Sequence, residues 1–233
     1  MNLWHRKDPA LFEKEKSEVE AHYPELHVQA VGEVVLVRGT FPIVADREVL
    51  DRYSVEIALA RDHPKSLPSV REVGGRIPWA ADRHINRSDG TACVLLPDER
   101  WKVWPPGSTF LDFLNGPVHD FFLGQSLVEQ GDPWPFGQWR HGAEGIREYY
   151  SELLGTQDVQ AICRYLEYLS AKKIKGHWPC ACRNGKRLRD CHMPALLNLR
   201  EKIHRRDAAR SLQALLQALC TRTGSDPRNT LIQ

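Results

Sequence analysis

Cys180, Cys182, Cys191 and His192 lie in the stretch "PCACRNGKRLRDCH", Pro179 to His192, of a 233-residue chain with only six cysteines. Three thiolates and one imidazole complete a tetrahedral shell for zinc, and the intervening Gly185 lets the backbone turn so that the two pairs converge. The segment around them is polar and arginine-rich and offers buried cysteines nothing to pack against, so a structural Zn2+ is the expected occupant. Such a metal also stands in for the core that a short segment lacks. Cys93 poses a different question. It ends the loop "RHINRSDGTAC" and opens into the apolar run "TACVLL". A lone cysteine there is either a small packed side chain or a nucleophile. Cys163 and Cys220 fall on helical faces and read as packing residues.

The remaining composition bounds what these groups can serve. Hydrophobic content of 42% with seven Trp, seven Phe and six Tyr supports a real core. No run approaches the ~20 apolar residues of a membrane span, and the opening "MNLWHRKDPALFEKEKSEVEAHYP" is charged throughout, so a soluble cytoplasmic protein is expected. Cysteines that are few and clustered agree with a reducing compartment. The net charge of +2 hides an asymmetry: Ala171 to Arg210 carries twelve Lys/Arg against three Asp/Glu. A basic block behind an acidic body suits either a solvated helix surface or an acidic partner or nucleic acid.

The elements that must position these residues can be read in order. Lys7 to Tyr23 reads as a helix with Asp8 as cap and Pro9 in its first turn. "ELHVQAVGEVVLVRGTFPI" reads as two strands turning near Val31–Gly32, and "YSVEIALA" as a third, with Tyr53, Val55, Ile57 and Leu59 on one face. A long irregular stretch then leads to Cys93 on a short strand; loops of this length in compact domains tend to be functional. Ser108 is the expected cap of a helical pattern that Gly116–Pro117 interrupts. Val159, Ile162, Leu166 and Leu169 share a helical face, Pro194 opens a helix through Ile203, and "RDAARSLQALLQALC" makes another. The chain is thus expected to be α+β, with domains at 1–155 and 156–233 and the zinc motif at 178–193.

Two family resemblances follow from these residues. Cys-x-Cys, eight residues, then Cys-His, with the central glycine and basic residues, resembles the SEC-C motif, the zinc tail of the bacterial preprotein translocase ATPase; Asn184 replaces the usual serine. It implies a structural zinc hook that docks partners. The order of helix, meander, proline-bearing loop, cysteine and tryptophan resembles the ubiquitin-conjugating enzymes across about residues 7–154. His84-Ile85-Asn86 stands for that family's His-Pro-Asn, "SDGTAC" for its glycine turn and cysteine, and Trp101 follows Cys93 by eight residues. "DHPKSLPSV" resembles the family's Tyr-Pro…Pro-Pro segment, with His63 in place of tyrosine. Ile85 replaces the proline, and the spacing from Asn86 to Cys93 is one residue short of the family's.

What this second resemblance implies is specific. Cys93 would carry a ubiquitin-like protein as a thioester received from an activating enzyme, and pass it to an amine on a protein target. Asn86 or His84 would stabilise the oxyanion or brace the loop. Asp132 and His141 are the candidates for activating the acceptor amine. Bacterial members often stand in antiviral operons. Two other readings stay open: a non-catalytic adaptor with the same fold, and a nucleic-acid- or ribosome-associated protein led by the basic zinc segment. A membrane partner is not expected.

Overall fold

The computed structural model describes residues 3–136 and 142–223. The chain divides into two compact units, Met1–Gly137 and Gln138–Gln233. This is earlier than the boundary near 155 expected from sequence. The helix Ala143–Leu154, assigned there to the first domain, packs within the second unit against the helices Val159–Ser170 and Arg205–Thr223.

In the first unit, α1 (Trp4–Lys7) and α2 (Pro9–His22) precede a sheet of β1 (Leu26–Val31), β2 (Val34–Ala45), β3 (Glu48–Leu59) and β4 (Ser69–Glu72), all antiparallel and in that spatial order. Asp8 caps α2 by accepting the Leu11 N–H at 3.0 Å, and Pro9 occupies the first turn, where its missing N–H costs nothing. Strand alternation sends Val35, Val37, Phe41 and Ile43 of β2 and Tyr53, Val55, Ile57 and Leu59 of β3 into one core. Gly39 is required: its φ is +141°, and a Cβ there would collide with the Glu25 carbonyl.

The meander has four strands, not the three expected. β4 pairs Val70 with Ile57 and Glu72 with Val55. Both sheet edges are engaged by the chain itself. Along β1, the Leu26 N–H donates to the Tyr23 carbonyl at 2.9 Å and the Val28 N–H to Glu20 Oε1 at 3.0 Å. Along β4, the Val70 carbonyl accepts the Ala92 N–H at 2.8 Å.

After the short α3 (Arg100–Val103), α4 (Phe110–Phe113) runs through a π-turn, Leu114–Val118, into α5 (His119–Glu129). Its cap is Thr109, not Ser108. Thr109 Oγ1 accepts the Asp112 N–H at 3.1 Å, and Asp112 Oδ2 accepts the Thr109 N–H at 2.7 Å. Pro117 does not break the helix, because the wider π-turn absorbs its missing N–H. Phe110, Phe113, Leu114, Val118, Phe121 and Phe122 belong to the same core as the sheet.

In the second unit, α6 (Ala143–Leu154) and α7 (Val159–Ser170) precede the cysteine segment, and α8 (Met193–Lys202) and α9 (Arg205–Thr223) follow it. Asp158 caps α7 through the Gln160 N–H at 2.9 Å, and Ile162, Cys163, Tyr165, Leu166 and Leu169 of α7 are buried. Ala208, Ser211, Leu215 and Cys220 form the buried side of α9. Arg200 of α8 donates to the carbonyls of Leu169 and Ala171, and Arg205 Nε to that of Ser170 at 3.2 Å, which satisfies the open end of α7. No helix among the described residues is long and apolar enough to cross a membrane.

Candidate metal centre and the Cys93 loop

The cysteine segment builds its site from a short antiparallel ladder. The Cys180 N–H donates to the Lys186 carbonyl at 3.0 Å, the Leu188 N–H to that of Trp178 at 2.7 Å, and the Arg189 N–H to that of Gly176 at 3.0 Å. Gly185 takes the turn with φ +78°. Asn184 serves both the turn and the cluster: its Oδ1 accepts the Lys186 N–H at 3.0 Å while its Nδ2 donates to Cys191 Sγ at 3.1 Å. Leu188 is wholly buried beneath the ladder, Trp178 stacks on Tyr168 with ring centroids 4.8 Å apart, and the Tyr168 hydroxyl donates to the Pro179 carbonyl at 2.8 Å. The knuckle is thus pinned to α7. His192 then stands at the N-terminal cap of α8 with Pro194 in its first turn.

These contacts bring one ligand atom from each of Cys180, Cys182, Cys191 and His192 within 4.8 Å of one another, a group that could hold a metal ion. Cys180 Sγ lies 3.5 Å from Cys182 Sγ, which lies 3.6 Å from Cys191 Sγ. His192 Nδ1 lies 3.1 Å from Cys180 Sγ and 3.0 Å from Cys191 Sγ. Tetrahedral zinc with Zn–S bonds of about 2.3 Å requires sulfurs about 3.8 Å apart, so little movement separates this cluster from a zinc shell. Burial opposes the Cys180 thiolate, but hydrogen bonds from Cys182, Tyr165 and His192 outweigh it and bring the pKa down to about 6. Cys191 moves the other way, raised by desolvation and by the Cys182 and Cys180 thiols against the Asn184 bond. Crowded thiols cannot all ionise alone; a cation in their midst removes that conflict.

The Cys93 segment is built by different means. The carboxylate of Glu72, buried at the end of β4, accepts the N–H groups of Gly74 at 2.6 Å, Arg76 at 2.9 Å and Ile77 at 3.3 Å. Arg76 then grips Asp51 of β3 through two bonds of 2.6 and 2.7 Å and Glu129 of α5 through bonds of 2.6 and 2.8 Å, its guanidinium 4.4 Å above the Tyr53 ring. Arg83 Nε donates to Gln125 Oε1 at 2.9 Å, and Gln125 Nε2 returns a bond to the Arg83 carbonyl at 2.7 Å. The long connection is therefore ordered by charge clamps rather than by a run of apolar residues.

Beyond Arg83 the chain makes a narrow hairpin. The Cys93 N–H donates to the His84 carbonyl at 2.8 Å, the Asn86 N–H to the Thr91 carbonyl at 2.8 Å, and the Gly90 N–H to the Asn86 carbonyl at 2.9 Å. The isolated bridge Ile85 to Ala92 joins the arms of this hairpin, and Arg71 to Thr91 hangs it on β4; Cys93 lies one residue past Ala92, not within a regular strand as expected. Its side chain is exposed. Among the described residues, no base, acid or imidazole hydrogen-bonds the thiol. Partial desolvation, with the Asp89 carboxylate second, raises its pKa above the usual cysteine value.

The structure brings His84 and Cys93 together through the backbone. The His84 side chain is buried, and its ring lies 4.2 Å from that of Trp134. Asn86 is exposed, with its Oδ1 accepting from the Ser88 N–H at 3.2 Å and hydroxyl at 3.0 Å, a side-chain turn of the loop itself. Trp101 stands on α3 under the Lys102 ammonium, 5.6 Å from its ring, and the buried tryptophan is its neighbour Trp104. His63 is buried and bonds Glu15 Oε2 at 2.9 Å. Asp132 is exposed beyond α5, its N–H on the Leu127 carbonyl at 3.0 Å, and His141 lies outside the described residues. The sequence reading missed Trp79, 56% exposed and packed over Gly90. No family model, no curated protein and no solved structure matches this chain.

Proposed function

We propose that the first unit is an acyl carrier of ubiquitin-conjugating type, with Cys93 as the residue that holds a ubiquitin-like protein, and that the second unit is a zinc hook that docks a partner. The observation that carries the first half is the state of Cys93: the backbone is fixed by the Cys93 and Ala92 N–H bonds, while the thiol is exposed and, among the described residues, engaged by no base. A hydrolase of the Cys-His kind needs an imidazole on its sulfur. Thioester exchange does not, since sulfur is intrinsically nucleophilic and its leaving group is another thiolate.

The step is an exchange. Cys93 sulfur, having lost its proton to solvent, attacks the thioester carbonyl on an activating enzyme; a new S–C bond forms and the activating enzyme's thiolate leaves. An acceptor amine then attacks the same carbonyl, a C–N bond replaces the S–C bond, and Cys93 departs with the electron pair and is reprotonated. The Asn86 amide is the loop's candidate for the transient oxyanion, a role worth about 2.7–4 kcal/mol where donors are well placed. Its carbonyl oxygen already turns toward Ser88, which supports a donor role for the amide nitrogen. The departure of Ile85 from the family pattern supports the competing reading, an adaptor with the same fold.

For the second unit, three thiolates and one imidazole without an open position suit a closed structural Zn2+ site, not a catalytic one. One experiment separates carrier from adaptor. Purified from its native cytosol with ATP and without reductant, the carrier shows an intact-mass gain the size of a small protein that dithiothreitol removes. Cys93→Ala lacks the adduct, and Cys93→Ser carries it in a reductant-stable form. Absence of any adduct with an active cognate activating enzyme present leaves the adaptor reading.

A further inference from the structure

We propose that the exposed cations around the cysteine-histidine knuckle bind the phosphate backbone of nucleic acid. Twelve Lys/Arg stand against three Asp/Glu between Ala171 and Arg210, but they are not equivalent in the fold. Arg200 and Arg205 are spent on the open carbonyls of α7. Lys172, Lys173, Lys175, Lys186 and Arg187 are all exposed, and among the described residues none makes a side-chain hydrogen bond or an ion pair. In the first unit Arg6, Lys7, Arg47, Lys65 and Arg87 are likewise exposed without a side-chain partner among the described residues, but they are scattered along the chain, and other cations are paired. Arg38 sits 2.6 Å from Glu56, Arg76 2.6 Å from Asp51 and from Glu129, and Lys102 2.5 Å from Glu99. What sets the second unit apart is spacing: its five unpaired cations among the described residues fall in one stretch, Lys172 to Arg187.

That stretch is contiguous. Ile174 is buried between the exposed Lys173 and Lys175, and the chain passes directly from there into the knuckle ladder. The Arg189 N–H bonds the Gly176 carbonyl, and a Cβ on Gly176 would lie 2.9 Å from that of Arg189, so this arginine lies across the strand beside Lys175. Arg187 and Arg189 flank the buried Leu188 and are both exposed. Arg187 and the lysines at 172, 173 and 175 therefore flank the ladder and the Cys/His cluster, while Arg189 is partly offset by Asp190 at 3.5 Å.

The choice of nucleic acid over an acidic polypeptide rests on what the face lacks. Protein interfaces draw most of their energy from buried aromatic and apolar anchors. Among the described residues of this unit the one exposed large apolar side chain is Leu197, and Trp178 is stacked away on Tyr168. A face that offers charge without an anchor suits a polyphosphate backbone, and without an exposed aromatic platform it reads no bases.

The test uses the full-length, zinc-loaded protein and a fluorescein-labelled uridine 20-mer, followed by anisotropy from 50 to 300 mM KCl. With about five phosphates neutralised, log K falls against log salt with a slope on the order of −3.5. The Lys175→Glu/Arg187→Glu and Lys172→Glu/Lys173→Glu pairs each weaken binding at 100 mM by about tenfold or more, and Arg38→Glu leaves it unchanged. Because the four residues reversed in the two pairs are exposed and unpaired among the described residues, the thermal transition of each double variant matches that of the parent. No binding at 50 mM, or binding indifferent to both double reversals, overturns the proposal. So does displacement of the RNA by a polyglutamate peptide of equal charge at lower concentration, which assigns the face to an acidic protein.

Discussion

Cys93 combines an exposed side chain with a pKa raised by desolvation and by Asp89, so the thiol is almost wholly protonated at neutral pH. Its alkylation by iodoacetamide is expected to be slow at pH 7 and to rise about tenfold per pH unit through pH 9, with the inflection above that of a free cysteine. Asp89→Asn shifts the inflection down by removing the smaller cause. A plateau below pH 8 would show a hidden activating base. Gly90 governs the same loop from its other end. Its φ is +69°, and any Cβ meets the Trp79 ring. Gly90→Ala is expected to cost about 1–3 kcal/mol, read by chemical denaturation. Trp79→Ala should recover the part due to the clash and leave the part due to φ. At this scale the sequence was informative where ligands are neighbours in the chain: Cys180, Cys182, Cys191 and His192 needed only a turn to meet. It was silent on Trp79 and Trp134, whose contacts with Gly90 and His84 are made by the fold.

Elements were legible in proportion to their own periodicity. β3 advertises itself through Tyr53, Val55, Ile57 and Leu59, whereas β4 has only Val70 as an aliphatic residue in four positions and becomes a strand by pairing with β3. Thr109 and Ser108 are equally good caps by type; Asp112, three residues past Thr109, decides between them. The clamp that orders the connection to Cys93 has no sequence period at all, since Asp51, Arg76 and Glu129 come from distant elements. It is testable through acid. The Arg76 hydrogen bonds hold the Asp51 pKa down at about 2. A depressed carboxylate stabilises the fold above its unfolded pKa of about 3.9, and that contribution is lost as pH falls through 4 towards 2. Denaturant titrations across that window should show a loss of roughly 1 kcal/mol, discounted for the partial exposure of the pair, and Arg76→Met should reduce it, leaving the smaller part due to the Ser126 and Arg52 bonds. Equal pH slopes in both proteins would remove the clamp as a source of stability.

At the scale of the whole molecule, the sequence placed the Cys/His cluster after an α+β body, but set the division at 155 because it had no means to see that Tyr149 and Tyr150 of α6 are buried. Chelation is expected to unfold residues 175–206, whose described buried side chains are few, while the first unit keeps its cooperative melt. Hydrogen exchange with and without a zinc chelator reads this directly; loss of protection in β2 and β3 would show one cooperative system instead of two. The sheet of the first unit has a further consequence. Tyr23 and Glu20 occupy the first half of β1, and the Cys93 hairpin occupies part of β4, so each flank has some of its backbone groups already bonded within the chain. Addition of a foreign strand along the full length of either flank would have to displace the chain's own bonds, which makes the sheet a poorer template for fibrils or runaway self-association than one with bare edges.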